Sequence, residues 1–286
     1  MFLTTLCSAQ KNSSSLLSNN DSITFQLALD LDREAFHDRS AIEFRRLAAS
    51  ITNSHYKAGH YWAAAYEYFK AGNIKLSEKM LDLTEDTSSE LNQHAILLRG
   101  ENALSLGNWN EACFFMESIL NSNPSEELKL LSSRKMAGSY LHKKQLEKVR
   151  EALLKVPERN IKELAECKKY ASGHDRTPWL GGVLGIIPGL GYAYSGEYAN
   201  ALRSFILNGI FIYGLVDTAD HEQWGGFTAI AFFELTWYTG SIYGGIDAAH
   251  RYNQKRLNDC LEKIEGETSF FPDLSKIPIV SLKFEF

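Results

Sequence analysis

The chain has 286 residues, with 30 Lys and Arg against 35 Asp and Glu, which gives a formal net charge of -5. This balance argues against a protein that mainly coats nucleic acid, because such proteins need a concentrated basic face. With 44% hydrophobic and 23% charged residues, the composition also excludes general disorder.

The first 21 residues are predicted to lie before the folded part of the chain. Residues 1–10 (MFLTTLCSAQ) resemble the end of a secretory signal, and the small residues Cys7 and Ala9 suit cleavage before Gln10. The apolar stretch is short for a complete signal and has no basic start, so an ordinary disordered N-terminus is the alternative. The Ser/Asn-rich stretch KNSSSLLSNN that follows indicates a flexible lead-in.

Residues 22–170 are predicted to form an array of helical hairpins. Apolar residues recur at helical spacing, as at Ile42, Leu47 and Ile51, without convincing period-2 alternation. Residues 94–124 contain the clearest unit, with small residues where two helices meet, a glycine at the turn, an aromatic residue that opens the second helix and a closing proline. These positions are Gly100, Ala103, Gly107, Trp109, Ala112 and Pro124.

This spacing resembles the tetratricopeptide repeat, a helix–turn–helix unit of about 34 residues. A weaker copy covers residues 137–153, where Lys144 stands in place of the turn glycine. An earlier copy fits two registers, one built on Gly59 and one on Gly72. The resemblance covers about residues 42–157 and implies an all-α stack.

Such arrays bind a protein or peptide along their concave face, so the resemblance also implies a partner of that kind. Asn102, Asn110 and Arg134 are the candidate lining residues. The aromatic residues of the repeats, such as Tyr68 and Trp109, are predicted to pack between helices.

Residues 176–256 are predicted to form a helical membrane module that is rich in glycine and aromatic residues. Thirteen of the 20 glycines lie between Gly181 and Gly245. Residues 199–216 and 224–248 approach or reach the roughly 20 apolar residues that a bilayer-spanning helix needs. Pro188 interrupts residues 177–196, which are therefore expected to form a short, bent or re-entrant helix. The buried core of a Gly-rich soluble α domain is the alternative.

Small residues and charges add detail to this module. The glycines expected to let helices approach closely in lipid are Gly209, Gly214, Gly240 and Gly244. The connection 217–222 is acidic, whereas the flanks are basic, which suits a two-span hairpin with both ends in the cytoplasm. A cleaved signal would instead place the repeats in the periplasm, and the two indications conflict.

Two motifs in this module resemble a family of uncharacterised bacterial envelope proteins. The first, PGLGxxYxGxxxxAL, is also similar to the two-transmembrane-helix domain family, and the second reads ExxWYxGxxYG. The resemblance implies membrane attachment, in the inner membrane, and no established enzymatic activity. Its motif residues are Pro188, Gly189, Gly191, Tyr194 and Gly196, then Trp237, Tyr238, Gly240, Tyr243 and Gly244.

Glu234 is the sharpest single candidate for a functional residue. A carboxylate among apolar residues of a membrane helix is unfavourable unless it is paired or neutral. Arg203 and Asn208 on the preceding helix are the expected partners, so we predict a polar clasp that holds the hairpin together. Proton or ion linkage is the alternative role.

Nothing in the chain predicts catalysis, a metal site or a cofactor. The four cysteines are far apart and form no CxxC or Cys/His cluster, and the eight histidines form no HExxH motif. We therefore expect no enzyme, no cofactor and no metal ligands.

Residues 257–286 are predicted to form a tail with a short amphipathic strand. Val280, Leu282, Phe284 and Phe286 alternate with polar residues, which is the period of a half-buried strand. A disordered tail is the alternative.

These observations predict a non-catalytic, membrane-anchored adaptor or scaffold that binds a partner protein through its repeats. Membrane lipid and another membrane protein are further expected partners, and nucleic acid is not. The alternative is a small channel or transporter-like protein that uses the Glu234-bearing hairpin, with the repeats in a regulatory role.

Overall fold

The computed structural model describes residues 19–84 and 89–266, and these residues are helical with no strand among them. The predicted all-α class is confirmed for this part of the chain. The described residues divide into two compact units, one ending at Ile161 and one covering Lys162–Gly266. The predicted C-terminal strand and most of the predicted N-terminal lead-in lie outside the described residues.

The described residues of the first unit form a succession of helices. Its helices are α1 Asn19–Arg33, α2 His37–Ser50, α3 Ser54–Lys70, α4 Ile74–Leu81, α5 Ser89–Ser105, α6 Trp109–Asn121, α7 Glu126–His142 and α8 Leu146–Leu153. Short 3₁₀ turns follow α4 at Asp82–Thr84 and α8 at Pro157–Arg159.

The second unit contains five helices of very different lengths. These are α9 Ile161–Ser172, whose first residue belongs to the first unit, α10 Pro178–Leu184, α11 Leu190–Tyr194, α12 Tyr198–Asp220 and α13 Trp224–Glu265. The predicted array extends to residue 170, whereas α9 groups almost entirely with the second unit. The predicted tail begins at residue 257, but residues 257–265 continue α13 without a break.

One turn geometry recurs at six links between consecutive helices. Each link has three residues, and the middle one has a positive φ between 55° and 81°. The N–H of this residue donates to the carbonyl oxygen three residues earlier. The N–H of the following residue donates to the carbonyl oxygen five residues before it, and the N···O distances are 2.8–3.1 Å. This pattern satisfies the last carbonyls of the preceding helix. The middle residues are Ala35, Gly72, Gly107, Lys144, Gly196 and Glu222.

The two registers predicted for the earliest copy place different glycines at the turn. Gly72 occupies the same turn position as Gly107, whereas Gly59 lies inside α3. Lys144 adopts φ 55°, so the third copy keeps the turn although it lacks the glycine. In the first unit these turns follow one another at intervals of roughly 35 residues, close to the helix–turn–helix period of about 34.

The first unit has a well-packed apolar core, as helix periodicity requires. On α2 the buried stripe is Ser40, Ala41, Phe44, Leu47 and Ala48, whose spacings of one, three, three and one residues keep them on one helix face. Burial of a side chain such as Phe44 contributes about 1.5–3 kcal/mol. Ile42, which the sequence analysis used as an example of the stripe, is 43% exposed because it lies on the opposite face.

Candidate functional site

In α12 and the first half of α13, large apolar residues are exposed and several polar residues are buried. Only 11% of the most apolar 18-residue stretch of α12 is buried. The large apolar residues that α12 leaves exposed are Tyr198, Leu202, Phe205, Ile206, Ile210, Ile212, Tyr213 and Val216. On α13 they include Trp224, Phe232, Phe233, Leu235, Trp237 and Tyr243. In water this arrangement would forgo about 1.5–3 kcal/mol for each exposed side chain.

Among the described residues, α12 is the one helix that is long and apolar enough to cross a membrane. The first half of α13 was predicted to be a second span, but it does not reach the same mean hydropathy. Glu234 and the many Thr, Tyr, Trp and Gly residues of α13 account for the lower value. The alternative of a buried Gly-rich core does not agree with the exposure of α12.

Polar residues occupy the contact between α12 and α13. The hydroxyl of Ser204 donates to the hydroxyl of Ser241 at 3.0 Å, and the amide nitrogen of Asn208 donates to the Ser204 carbonyl at 2.6 Å. The remaining buried polar residues at this contact are Thr218 and Glu234. Each group therefore avoids the apolar outer face.

The predicted clasp of Arg203, Asn208 and Glu234 is only partly assembled. Asn208 and Glu234 are both buried, at 1% and 8% exposure. Among the hydrogen bonds of the described residues, none joins Glu234 to Asn208 or Arg203. Arg203 donates instead to the Asn200 side chain at 3.5 Å. The Oε2 atom of Glu234 and the Oδ1 atom of Asn208 are buried without a hydrogen-bond partner.

Residues 177–196 form two short helices, α10 and α11, rather than a straight span, and the first motif begins between them at Pro188. Gly189 has φ 88° and lies just before α11, and its N–H donates to the Ser241 hydroxyl at 3.3 Å. A Cβ at Gly191 would lie 2.9 Å from the Cα atom of Gly245. The half-buried Pro188 precedes this turn, Gly196 supplies the next turn, and Tyr194 accepts a hydrogen bond from the Thr177 N–H at 3.1 Å.

The residues of the second motif lie along α13 and have different surroundings. Tyr238 donates to the Ile186 carbonyl at 2.9 Å, and Gly244 contacts the Tyr192 ring. Tyr243 and Trp237 are exposed, and Gly240 has open space beside it. The motif thus combines packing residues with residues that no other part of this unit covers.

The glycines at the closest helix approaches differ from most of those predicted. A Cβ at Gly245 would meet the carbonyl oxygen of Gly181, and a Cβ at Gly185 would lie 2.9 Å from the Cα atom of Ile242. Gly209 and Gly240 have no atom within 4 Å of that position. The missed residues did carry a signal, because Gly181–Gly185 and Ser241–Gly245 are both small-xxx-small pairs.

A cavity of about 370 Å³, lined by both polar and apolar residues, lies beside α12 and α13. Arg203 and Asn200 lie at the polar part of its wall, and Leu207 and Trp237 provide apolar wall. The complete lining is Tyr192, Asn200, Arg203, Ser204, Leu207, Thr236, Trp237, Gly240 and Ser241.

In the first unit the predicted repeat residues take up packing and turn positions. A Cβ at Gly100 would collide with the Met116 side chain, and Ala103 and Ala112 are buried. Trp109 opens α6 and stacks on His142 with ring centroids 3.9 Å apart. Gly107 forms the turn, and Pro124 lies between α6 and α7.

The candidate groove residues form hydrogen bonds to neighbouring segments of the first unit. Asn102 is 1% exposed and its amide donates to the Ser77 hydroxyl at 3.0 Å. Asn110 accepts a hydrogen bond from Lys143, and Arg134 donates to Asn160 at 2.9 Å. These polar side chains therefore hold neighbouring helices together in the first unit.

Sequence reasoning missed a charged cluster formed by α1, α2 and α3. The ligand atoms of Asp32, His37 and Glu67 all lie within 4.8 Å of one another. The Lys70 ammonium lies against both carboxylates, 2.5 Å from Glu67, so the chain supplies its own cation there. Burial raises the pKa of the Glu67 carboxyl, while the hydrogen bonds from Lys70 and His37 act in the opposite direction. No local motif marks this cluster.

An open cleft of about 790 Å³ adjoins this cluster at the ends of the hairpins. Its walls combine aromatic and aliphatic side chains with the polar edge of the cluster. They comprise His37, Tyr66, Phe69, Lys70, Gly72, Ile74, Ser105 and Leu106.

Comparison with protein-family models finds no match, and neither curated proteins nor solved structures match this chain.

Proposed function

We propose that the chain is a non-catalytic, membrane-anchored adaptor whose helical repeats bind a partner protein. The observation that carries the anchor is the exposure pattern of α12 and the first half of α13, where large apolar residues lie outside and several polar residues are buried. In hydrocarbon, exposed apolar side chains carry no penalty and buried polar groups must find partners within the protein. The exposed apolar side chains of α12 and the first half of α13 have the first property, and the hydrogen bond between Ser204 and Ser241 is an example of the second.

The dimensions of these helices agree with this proposal. A helix rises 1.5 Å per residue, so the 23 residues of α12 extend about 35 Å, against about 30 Å for a bilayer core. The 42 residues of α13 extend about 63 Å, so that its second half would project into water. That half is charged and pairs with α9, as Lys263 does with Glu166 at 3.1 Å.

The distribution of charged residues supports an orientation in which the acidic connection 217–222 lies on the side of the membrane away from the cytoplasm. The chain has no Lys or Arg between Arg203 and Arg251, whereas both flanks of the module are basic. By the positive-inside rule the ends of the hairpin lie on the cytoplasmic side of a bacterial inner membrane. The repeats would then face the cytoplasm, and the periplasm is the alternative if a signal is cleaved.

The repeats of the first unit would be of the tetratricopeptide type. Support comes from the recurring three-residue turns and from small residues at the helix contacts of residues 94–124. The cleft beside Leu106 offers an apolar surface for a peptide segment, since it is open and partly lined by aromatic side chains.

Substitution of Ile210 by Lys tests the anchor. Ile210 is 60% exposed near the middle of α12, so a lysine there is harmless in water but unfavourable by about 2.5–3.5 kcal/mol in a bilayer. We expect wild type to resist carbonate extraction and the Ile210→Lys variant to lose membrane integration. Ile42→Lys, at an exposed site of the first unit, is the matched control. Release of wild type by carbonate would contradict the anchor.

Site-specific photo-crosslinking in cells tests the adaptor role. A photoreactive residue at Leu106, which lines the cleft and is 61% exposed, should give a discrete protein adduct. Phe114 is 66% exposed outside the cleft and serves as the control. Equal labelling at both positions, or no protein adduct at Leu106, would contradict partner binding in the cleft.

A channel or transporter-like role is the second candidate. It is favoured by the buried oxygens of Glu234 and Asn208 that have no hydrogen-bond partner. Glu234→Gln separates the two roles, because a structural residue should change stability, whereas a conducting site should lose transport in a folded protein.

A further inference from the structure

The cavity beside α12 and α13 combines one uncompensated cation with an apolar wall. Arg203 is exposed and donates one long hydrogen bond, 3.5 Å to Asn200. It has no carboxylate partner among the described residues. Two other arginines of the second unit pair with carboxylates, Arg251 with Glu197 at 2.9 Å and Arg256 with Asp175 at 2.7 Å. Arg176 instead lies over the rings of Tyr194 and Tyr252. A guanidinium has five N–H donors, so most of those of Arg203 are available to a ligand.

We propose that this cavity binds an anionic phospholipid, with the lipid phosphate on Arg203 and the start of the acyl chains against Leu207 and Trp237. This inference rests on the proposed membrane anchorage. The guanidinium fork matches two phosphate oxygens, and the pairing is strong where water is partly excluded. The apolar wall and the exposed faces on either side suit the lipid tails, which a free phosphate lacks.

The surrounding charges favour a net negative headgroup over a zwitterionic one. Glu197, the carboxylate residue just before α12, is already engaged by Arg251 at 2.9 Å and by Asn200 at 2.7 Å. The positive charge of a zwitterionic headgroup would therefore find no unpaired carboxylate at Glu197. One unpaired Arg203 favours a ligand whose net charge is negative.

Gly240 provides a way to close the cavity without changing any charge. It lines the cavity, and a Cβ added there would have no atom within 4 Å. Gly240→Leu therefore fills ligand space and should leave the helix packing intact. Gly209 has equally open surroundings on α12 but does not line the cavity, so Gly209→Leu is the matched control.

The experiment uses the full chain purified in detergent and reconstituted with phosphatidylglycerol and phosphatidylcholine in competition. Native mass spectrometry of the lipid that stays bound gives the preference. We expect wild type to prefer phosphatidylglycerol at least tenfold, and Arg203→Gln and Gly240→Leu to reduce this preference to less than twofold. Gly209→Leu and Lys255→Gln, which removes a basic charge outside the cavity, should retain it.

Three results would overturn the lipid site. The first is a preference that survives in Arg203→Gln or in Gly240→Leu. The second is an equal fall in Lys255→Gln, which would indicate diffuse charge attraction. The third is displacement of the lipid by inorganic phosphate, which would indicate a free-phosphate site. Each variant is first checked for carbonate resistance. A wild type that resists carbonate but shows no lipid preference contradicts the lipid site alone, whereas carbonate-soluble wild type contradicts the proposed anchor as well.

Discussion

The hydroxyl of Ser204 donates a hydrogen bond of 3.0 Å to the hydroxyl of Ser241, between two helices whose outer faces are apolar. Ser241 also accepts from the Gly189 N–H at 3.3 Å and approaches the Gly185 carbonyl at 3.5 Å. One buried hydroxyl thus connects α12, α13 and the segment between α10 and α11. Its removal should affect all three.

Ser241→Ala is expected to lower the free energy of unfolding of the second unit by about 1–3 kcal/mol, because the Gly189 N–H loses its acceptor. Thermal unfolding in detergent measures the change. Thr239→Ala is the control, since the exposed Thr239 hydroxyl donates to Leu235 of its own helix. An effect of Ser241→Ala no larger than that of Thr239→Ala would contradict the role of this hydrogen bond.

Gly245→Ala should disrupt the same unit by steric overlap. The added methyl group would meet the Gly181 carbonyl oxygen and lie 3.0 Å from the Gly191 Cα atom, and neither backbone atom can move alone. We expect a loss of about 1–3 kcal/mol or more, measured by thermal unfolding. Gly209→Ala, in open space on α12, should be neutral or stabilising by up to about 1 kcal/mol. Equal effects of the two substitutions would contradict the close approach.

The left-handed turns give a pair of opposite predictions. Lys144 has φ 55°, which is unfavourable by roughly 1–2 kcal/mol for a residue with a Cβ, and Gly107 has φ 72° at the equivalent turn. Lys144→Gly should therefore raise the stability of the first unit by about 1 kcal/mol, and Gly107→Ala should lower it by a similar amount. Urea unfolding measures both. Changes of the same sign would show that the two turns are not equivalent.

Lys70→Met should destabilise the first unit because it leaves the buried Glu67 carboxylate without its cation. The expected loss is roughly 3 kcal/mol, the range measured when one partner of a buried pair is removed. Adding Glu67→Gln should recover much of the loss, which a urea unfolding series can show. Lys75→Met, at an exposed position of α4, is the control and should be nearly neutral. Failure of Glu67→Gln to rescue would argue against the pairing.

Because His60 is buried, the free energy of unfolding of the first unit is expected to fall at acidic pH. Burial against Phe25 and Phe44 lowers the pKa of His60 from 6.5 to about 4, although the charge of Asp21 opposes this. Between these values the unfolded chain binds the proton and the folded chain does not, so stability is fully present above pH 6.5 and is lost as the pH falls towards 4.

The loss attributable to His60 is on the order of 3 kcal/mol over that window. Unfolding curves of wild type and His60→Phe across the window measure it, and the variant should show a correspondingly smaller dependence on pH. His174→Phe, at an exposed histidine, should leave the dependence unchanged. An unchanged pH dependence in His60→Phe would contradict the buried neutral histidine.

The sequence by itself determined the features that depend on neighbouring residues along the chain. Helical periodicity was sufficient to predict the all-α class, and the residues from Gly100 to Pro124 predicted a helix pair and its turn at Gly107. The glycine and aromatic composition after residue 176 marked the second unit. Pro188 indicated that its first segment is broken, because proline cannot continue the hydrogen bonds of a helix.

Only the tertiary structure decided which distant residues meet. Gly181 contacts Gly245, and Lys70 pairs with Asp32, because helix packing brings these positions together, and no local spacing records that. The same reason explains the clasp, where the sequence suggested Arg203 as a partner of Glu234 but helix geometry directs Arg203 to Asn200 and the cavity. Local patterns specify helices and turns, whereas contacts between helices depend on which faces pack and at what register.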